Sequence, residues 1–485
     1  MSSPLSRSLL INTIWSFVGR FGYLAVGLAS NIVLARMLSP TEFGQVAIMM
    51  FFVILASILI ESGLSGALVR KQNIEEVDYS TVFIFNMVVS LALMALLMAS
   101  ADYIAKFYED LALSAILKAA SLVLVVNALR VTQTVRLVKE LRFKAKAGYE
   151  FVAISVASLV AIFLAARGAG VWSLVALQLS TSLMLTALLW FRVGPLKSFK
   201  FSKKSFSGFY KFGINTTLAS LLNSAFDNIY QLILAKYFSI QQSGYFYQAK
   251  KLQEMPVGVL QSAALGVVYS TLSKLQDLPE EFDSLYRNSI KIFTIAVAAI
   301  CMLMYCYADL IIELLYGPKW SGSVIYMKFL AVAAFFYLQE IFNRVIFKVF
   351  DRTELILRLE IFKKTVQSVT IIYGVLTMDI DVLLYGFVAV SIFSFLVNYF
   401  YARKVQGRFA WVDFLAVIKI SFSAAVVVVI TEVAFESYSI DGPISLLALP
   451  VMLSLFVVLL HYSHVIDFHV DLKHFLLLYR GGDVK

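Results

Sequence analysis

Fourteen apolar runs follow one another along this chain, and they constrain its fold more than any other feature of the sequence. Each is close to the ~20 residues that a transmembrane helix needs. The runs are approximately residues 9–34, 44–69, 81–100, 111–129, 151–166, 171–191, 212–238, 245–272, 290–315, 324–350, 355–378, 382–401, 414–433 and 444–460. Because 60% of the residues are apolar and only 15% are charged, an ordinary soluble domain is excluded. The sequence therefore predicts an all-α polytopic membrane protein with about fourteen transmembrane helices.

The connections between these runs are too short to hold an extramembrane catalytic domain. The chain has no Gly-x-x-x-x-Gly-Lys-Ser/Thr loop, which excludes an ATP-driven pump in a single chain. A membrane glycosyltransferase or polymerase is the rival enzyme class, but it would normally need a long loop that carries catalytic residues. We therefore expect a protein that is not an enzyme.

The residue types that usually hold metals do not form a cluster in the sequence. The four histidines follow the last run, and their spacing does not place three on one helical face with a carboxylate: His461, His464, His469 and His474. Cys301 and Cys306 lie inside one apolar run, so they are not a disulfide framework. We expect no cofactor and no metal site.

Basic residues are concentrated in alternate loops, and this pattern sets the expected topology. The loops near residues 70–71, 130–146, 192–204, 274–287, 348–352 and 403–408 are rich in lysine and arginine, whereas the loops between them are nearly bare. By the positive-inside rule the basic loops and both termini lie in the cytoplasm. The same asymmetry accounts for the formal net charge of +10 without a nucleic-acid partner. The first run carries Arg20 and continues to Leu38, so we expect a retained span rather than a cleaved leader.

An internal repeat relates the two halves of the chain. Residues 32–44 align with residues 232–244 at a constant offset of 200, which pairs Ala35 with Ala235, Arg36 with Lys236, Ser39 with Ser239 and Gly44 with Gly244. Both segments end one run and enter the next, and six runs separate them, so the copies have the same orientation. We expect two pseudo-symmetric six-helix lobes at 1–193 and 212–403, joined by a linker at 194–211. Two further helices at 404–463 and a cytoplasmic tail at 464–485 follow.

The linker interleaves basic and aromatic side chains. The basic residues are Lys197, Lys200, Lys203, Lys204 and, just beyond, Lys211; the aromatic residues are Phe199, Phe201, Phe206, Phe209 and Tyr210. Aromatic rings settle at headgroup depth, and ammonium groups are attracted to anionic lipids. We therefore expect this segment to lie in the membrane interface. It would act as an anchored linker, which we favour, or as a surface that recruits a substrate lipid.

Ionisable residues within the apolar runs are costly in lipid and mark either a substrate path or a mutual pair. Three sets are spaced to pair on one helix: Lys250 with Glu254, Glu340 with Arg344, and Glu360 with Lys363 or Lys364. Arg20, Glu61 and Asp227 have no charged residue one turn away, so each needs a partner on another helix or a wet cavity. Asn223 and Gln231 flank Asp227 and extend it into a polar stripe. We expect Arg20, Glu61 and Asp227 to line a central cavity.

Short segments distributed along the chain resemble a known family. They are Leu38–Ala47 (LSPTEFGQVA), Glu61–Leu68 (ESGLSGAL), Leu141–Lys144 (LRFK), Gly168–Val175 (GAGVWSLV), Gly244–Ala249 (GYFYQA) with Pro256, and Leu315–Trp320 (LYGPKW). In this order and spacing they resemble the polysaccharide transporter family of the multidrug/oligosaccharidyl-lipid/polysaccharide exporter superfamily. Its Wzx-type flippases for O-antigen, colanic acid and exopolysaccharide are the most similar members. The resemblance covers residues from about 10 to 460.

This resemblance implies a two-lobe flippase of the bacterial inner membrane that moves an undecaprenyl-diphosphate-linked oligosaccharide by alternating access. Because the diphosphate is anionic, cations within the spans would bind it, and polar residues would bind the sugar. The candidate substrate-binding residues are Arg20, Asn223, Asp227, Lys250, Lys251 and Arg344, with sugar contacts from Tyr230, Gln231 and residues 245–247. Glu61, Asp227 or Glu254 would carry a coupled H⁺ or Na⁺.

Two other functions are left open by the residues. A multidrug or small-cation exporter of the same superfamily would bind cationic drugs through acidic residues, whereas this chain also carries cations in its spans, which favours an anionic cargo. A scaffold without transport activity does not account for charges at mid-membrane. The expected partners are membrane lipids, the lipid-linked oligosaccharide, and the polysaccharide polymerase and glycosyltransferases of the same pathway.

Overall fold

The computed structural model describes residues 4–61, 63–407, 411–438 and 442–465, and within these ranges the regular structure is helical. The side chains of Arg20 and Lys211, the residues His469 and His474, and most of the predicted tail lie outside this description. Packing divides the chain into two compact units, Met1–Tyr247 and Gln248–Lys485. The predicted boundaries of the lobes and of the linker stay a prediction.

The first unit is a bundle of long helices. Its elements are α1 (Pro4–Met37), α2 (Pro40–Glu61), α3 (Leu64–Arg70), α4 (Glu76–Phe107), α5 (Ala112–Lys139), α6 (Phe143–Ala166), α7 (Val171–Val193) and α8 (Lys203–Tyr237). Within it α4 packs on α5, α1 on α6, and α7 on both α5 and α6. Helix α8 packs on α2.

The second unit begins within α9 and is organised around α13. Its elements are α9 (Ile240–Ala263), a π-helical turn (Ala264–Val268), α10 (Tyr269–Leu272), α11 (Pro279–Cys306), α12 (Ala308–Tyr316), a 3₁₀ turn (Pro318–Trp320), α13 (Ser323–Val349), α14 (Thr353–Thr377), α15 (Ile380–Gln406), α16 (Trp411–Tyr438), a 3₁₀ turn (Gly442–Ala448) and α17 (Leu449–Tyr462). Helix α13 packs against α11 and α15, and α16 packs on α11. Fully buried aromatic side chains, among them Tyr286, Phe342 and Tyr399, fill the core between these helices.

Helices cover each of the fourteen predicted runs, so the chain is a multi-pass membrane protein. Among the described residues, eleven helical stretches are long and apolar enough to cross a membrane, and the shorter apolar segment Phe21–Met37 accompanies them. Helices α8 and α14 cover the other two runs and are more polar, since α8 carries Asn223 and Asp227 and α14 carries Glu360 and Lys363. Because polar side chains are costly in hydrocarbon, these two helices need protein or water against their polar faces.

Several helices extend well beyond the apolar runs that predicted them. Helix α5 continues to Lys139 and α6 begins at Phe143, whereas the runs ended at 129 and resumed at 151. A helix of 28 residues is about 42 Å long and outlasts a hydrocarbon core of about 30 Å. Val131 and Val135 stay buried along the extension, so packing continues where hydropathy falls.

The internal repeat is visible in helix boundaries and packing. Helix α1 ends at Met37 and α2 begins at Pro40, while α8 ends at Tyr237 and α9 begins at Ile240, which keeps the offset of 200. The hydroxyls of Ser39 and Ser239 accept hydrogen bonds from the backbone N–H groups of Glu42 and Gln242, at 3.4 and 3.1 Å. The contacts α4–α5, α5–α7 and α6–α7 recur as α11–α13, α13–α15 and α14–α15. Equivalent positions thus carry equivalent helices.

The repeated glycines Gly44 and Gly244 mark a close, reciprocal backbone contact within the first unit. A Cβ added at Gly44 would lie 1.9 Å from the carbonyl oxygen of Ile240, and one at Gly244 would lie 1.9 Å from that of Pro40. Pro40 and Ile240 are themselves equivalent in the repeat. The two helix starts therefore cross at a distance that only glycine permits.

Candidate functional site

Arg130 of α5 is the centre of a charge cluster in the first unit. Its guanidinium interacts electrostatically with the carboxylates of Glu61 on α2 and Glu150 on α6, and with the hydroxyl of Tyr23 on α1. Lys146 pairs with Glu150, with 2.6 Å between Nζ and Oε1. Glu61 was predicted to need a partner on another helix or a wet cavity; its carboxylate interacts electrostatically with Arg130, and its part in a substrate path stays a prediction.

Sequence reasoning missed Arg130 and Glu150 because it placed both in a cytoplasmic connection. Both lie inside helices, on α5 and α6, beyond the ends of the apolar runs. The available signal was the continued helical spacing of apolar residues such as Val131 and Val135, which a hydropathy window does not register.

Arg20 lies on α1, and its side chain is outside the described part of the chain. The backbone beside it is described. A Cβ added at Gly19 would lie 2.0 Å from the Cβ of Ala147, so α1 packs closely on α6 at this level. Helix α1 therefore has a fixed backbone position where it carries Arg20.

The polar stripe on α8 divides into a buried part and an accessible part. Gln231 is buried and donates a hydrogen bond to the carbonyl oxygen of Ala47 on α2, at 3.2 Å. Tyr230, also expected at a sugar-binding surface, is buried as well. Asp227 is exposed and Asn223 is half-buried. The residues of this stripe that remain reachable by a ligand are thus Asn223 and Asp227.

Helix α9 carries two cations and one carboxylate just before a proline and a π-helical turn interrupt its regular geometry. Lys250 Nζ lies 3.8 Å from Glu254 Oε1, and Lys251 interacts electrostatically with the same carboxylate. Pro256 lies inside this helix and removes a backbone donor, and the π-helical turn Ala264–Val268 follows. Interrupted helices and π turns are frequent at transporter binding sites. This segment has one more cation than carboxylate.

Arg344 belongs to a balanced network between α13 and α14 in the second unit. Lys363 Nζ donates to Glu340 Oε1 at 2.6 Å and to Glu360 Oε1 at 2.8 Å. The Arg344 guanidinium lies 3.6 Å from Glu340 Oε1 and 3.2 Å from Glu360 Oε1. The spacing predicted the pairs within each helix, whereas the pairs between the helices, Lys363 with Glu340 and Arg344 with Glu360, were not predicted. Arg344 is the most exposed member, with 26% of its side chain accessible.

A second buried ion pair joins α15 to α16. Arg403 has 1% of its side chain exposed, and its guanidinium lies 3.3 Å from Asp413 Oδ2. The guanidinium also lies over the Tyr286 ring, 4.2 Å from its centroid. Arg403 Nη1 also donates to Gln406 Oε1 at 2.7 Å, and Arg287 Nε lies 3.3 Å from Asp413 Oδ1. Because Arg403 and Asp413 are both buried and pair with each other, we interpret this cluster as structural.

The chain thus consists of long apolar helices that repeat in two halves and hold charged side chains between them. Comparison with solved structures shows that this is a membrane transporter fold. The fold is similar to that of the lipid II flippase MurJ in an inward closed conformation, with a TM-score of 0.67, 16% identity, and coverage of 95% of this chain and 100% of that one. It is also similar to an inward-facing multidrug resistance MATE family transporter of the MOP superfamily, with a TM-score of 0.59, 16% identity, and coverage of 80% of this chain and 96% of that one.

The chain belongs to the polysaccharide biosynthesis protein family, whose model matches residues 33–325. The predicted resemblance is thereby confirmed. The succinoglycan biosynthesis transport protein ExoT of Rhizobium meliloti (strain 1021) is 23% identical over 316 residues, which span 65% of this chain and 64% of that relative. The lipopolysaccharide biosynthesis protein WzxC of Escherichia coli (strain K12) is 21% identical over 398 residues, or 80% of each chain. The teichuronic acid biosynthesis protein TuaB of Bacillus subtilis (strain 168) is 20% identical and covers 68% of each.

Proposed function

We propose that this protein is a flippase, a secondary transporter that moves an undecaprenyl-diphosphate-linked oligosaccharide or polysaccharide repeat unit across the bacterial inner membrane by alternating access. Membership of the polysaccharide biosynthesis family supports the pathway, and the transport protein among its relatives supports the activity. The alternation of basic loops supports both termini in the cytoplasm. The polymerase and glycosyltransferases of the pathway are the proposed protein partners.

The observation that carries the proposal is the excess of cations on α9. The sequence of α9 carries two cations, Lys250 and Lys251, and one carboxylate, Glu254, and the helix contains Pro256. In a low-dielectric site this excess favours an anionic group, and a diphosphate offers several oxygen acceptors to ammonium donors. A carrier of cationic drugs would be expected to have the opposite excess.

The other parts of the cargo require different surfaces. Asn223 and Asp227 would bind sugar hydroxyls, since amide and carboxylate groups both accept hydrogen bonds from them. Arg344 would reach a phosphate only by loosening its hold on Glu340 and Glu360, so we assign it a secondary part in binding. The polyprenyl tail would remain in lipid throughout.

The sidedness of the lipid-linked oligosaccharide tests the proposal. In cells that lack the protein, loaded lipid should accumulate on the cytoplasmic leaflet, and the restored gene should clear it. Arg20→Ala and the double variant Lys250→Ala/Lys251→Ala should slow flipping by roughly 10–100-fold, because charge-assisted hydrogen bonds contribute about 1.5–3 kcal/mol. Lys274→Ala, which changes an exposed lysine outside the predicted spans, is the control.

Normal flipping in cells that lack this protein and any redundant flippase would reject the proposal. Extrusion of a cationic dye by the same cells would then support the multidrug exporter. Flipping that stops in the null strain but proceeds normally in the lysine and arginine variants would keep the activity and reject these binding residues.

We further propose that Glu61 carries a coupled proton. Its carboxylate interacts electrostatically with Arg130, which also interacts with Glu150 and Tyr23, so protonation of Glu61 would weaken the hold on Arg130 and favour its other partners. Glu61→Gln should abolish the stimulation of transport by an imposed pH gradient in proteoliposomes. Glu140→Gln, a half-exposed carboxylate paired with Arg142 at 3.3 Å, should leave that stimulation intact. Stimulation by a Na⁺ gradient alone would instead favour Asp227 or Glu254 as the ion site.

A further inference from the structure

The end of α7, the connection that follows and the start of α8 together present exposed basic and aromatic side chains. We call this set the basic-aromatic face, and its members are Arg192, Lys197, Phe199, Lys200, Phe201, Lys203, Lys204 and Tyr210. All of them are exposed, Phe199 to 62%. An exposed phenylalanine ring is unfavourable in water. The rings of this face would therefore be stabilised by contact with apolar groups, and its cations by contact with anions.

The opposite side of the same segment is fixed to the first unit. Leu196 and Phe209 are buried in a cluster with Leu68 of α3 and Tyr79 of α4. The backbone N–H of Ser202 donates to Thr81 Oγ1 at 3.0 Å. The inner residues of the linker thus pack on the protein, and the prediction that the linker lies in the membrane interface stays a prediction for its outer face. This anchoring gives the outer face a defined position.

Among the residues that the structure describes, no carboxylate forms an ion pair with a member of this face. The sequence has no aspartate or glutamate between Glu150 and Asp227. The acidic residues on the adjacent helix α4 are already paired, Asp78 with Lys71 at 2.7 Å and Glu76 with Arg136 at 2.6 Å. The lysines of the face are thus available to an external anion.

The face also follows a helix that is long and apolar enough to cross a membrane, α7. Phe191, 88% exposed, lies in the last turn of α7, where we expect an apolar ring to face hydrocarbon rather than water. Arg192 and Lys197 follow directly. We therefore expect the lysines at headgroup depth, with the rings of Phe199 and Phe201 beside them.

We propose that the basic-aromatic face binds anionic phospholipid headgroups of the cytoplasmic leaflet, at a site separate from the cargo path. The ammonium groups would contact lipid phosphates while the exposed rings enter the interface. Nucleic acid would satisfy the charge but would not account for phenylalanine rings beside a spanning helix. The proposal does not depend on what the protein transports.

Energy transfer from tryptophan to dansyl-labelled lipid tests the proposal on the purified full-length protein. Trp190 lies next to this segment, with its ring centroid 6.2 Å from that of Phe83, which in turn contacts Phe199 at 5.9 Å. Dansyl-phosphatidylglycerol should bind at least ten-fold more tightly than dansyl-phosphatidylcholine. The variant K197Q/K200Q/K204Q should lose ten-fold or more of that affinity, since one interfacial cation contributes about five-fold. High salt should likewise lower the affinity of the wild-type protein for dansyl-phosphatidylglycerol, because it screens the lysine charges.

The matched control removes three exposed lysines from other predicted cytoplasmic segments, K274Q/K348Q/K404Q, and should keep the wild-type affinity ratio. Equal binding of the two lipids by the wild type would overturn the proposal, and so would an equal loss in both triple variants. Displacement of dansyl-phosphatidylglycerol by a stoichiometric amount of undecaprenyl diphosphate would assign the face to the cargo and also overturn it. Both variants should keep the wild-type thermal midpoint.

Discussion

Gly44→Ala and Gly244→Ala are each expected to destabilise the protein and to stop transport. Alanine normally stabilises a helix relative to glycine by about 1 kcal/mol. Helix propensity alone would therefore predict that both substitutions stabilise the protein. At these two positions the new methyl group would meet a backbone carbonyl oxygen at 1.9 Å. A backbone atom cannot rotate away as a side chain does, so the helices must separate, at a cost of roughly 1–3 kcal/mol or more.

Gly148→Ala provides the control, because a Cβ at that position on α6 would meet nothing within 4 Å. Thermal unfolding in detergent should show a raised midpoint for Gly148→Ala and lowered midpoints for the two repeat glycines. Similar losses at Gly44 and Gly244 are expected because their contacts are reciprocal. A midpoint that rises in Gly44→Ala as it does in the control would show that the close crossing of α2 and α9 is absent from the folded protein.

The same glycines show how far the sequence predicts this fold. The offset of 200 between the two segments predicted equivalent helices, and the structure shows equivalent helix ends at Met37 and Tyr237. Hydropathy located every long helix because hydrocarbon selects apolar side chains over a fixed length. Hydropathy did not locate the end of α5 or the start of α6, where the helices extend beyond the apolar runs but continue to pack. Each glycine lies against a backbone carbonyl oxygen at the start of the other helix, and the repeat alone did not predict this tertiary contact.

The candidate site was predicted less completely than the fold. Pairs within one helix follow from spacing, and the pairing of Lys250 with Glu254 is present as predicted. Partners on different helices do not follow from spacing, because many arrangements of helices fit one sequence. Lys363 therefore appeared as a partner of Glu360 alone, and Arg130 was not recognised as the partner of Glu61.

Lys363→Met is expected to destabilise the second unit strongly. The ammonium group bridges Glu340 and Glu360 at 2.6 and 2.8 Å, and only 5% of the lysine side chain is exposed. Methionine keeps the length and apolar volume but leaves two buried carboxylates with Arg344 as their cation. Removal of one partner from a buried ion pair costs about 3–5 kcal/mol, since the remaining charge is unpaired in a medium of low dielectric.

Thermal or denaturant unfolding of the purified protein measures this loss, with Lys348→Met as the control. Lys348 lies on α13 and is exposed, so its removal should change the free energy of unfolding by less than about 0.5 kcal/mol. The double variant Lys363→Met/Glu360→Gln removes one cation and one anion, and it should recover part of the stability that Lys363→Met loses. Recovery would show that the loss comes from unpaired charge rather than from altered packing. If the double variant is less stable than Lys363→Met, the unpaired carboxylates do not destabilise the folded state. The balanced network between α13 and α14 would then not be what holds these helices together.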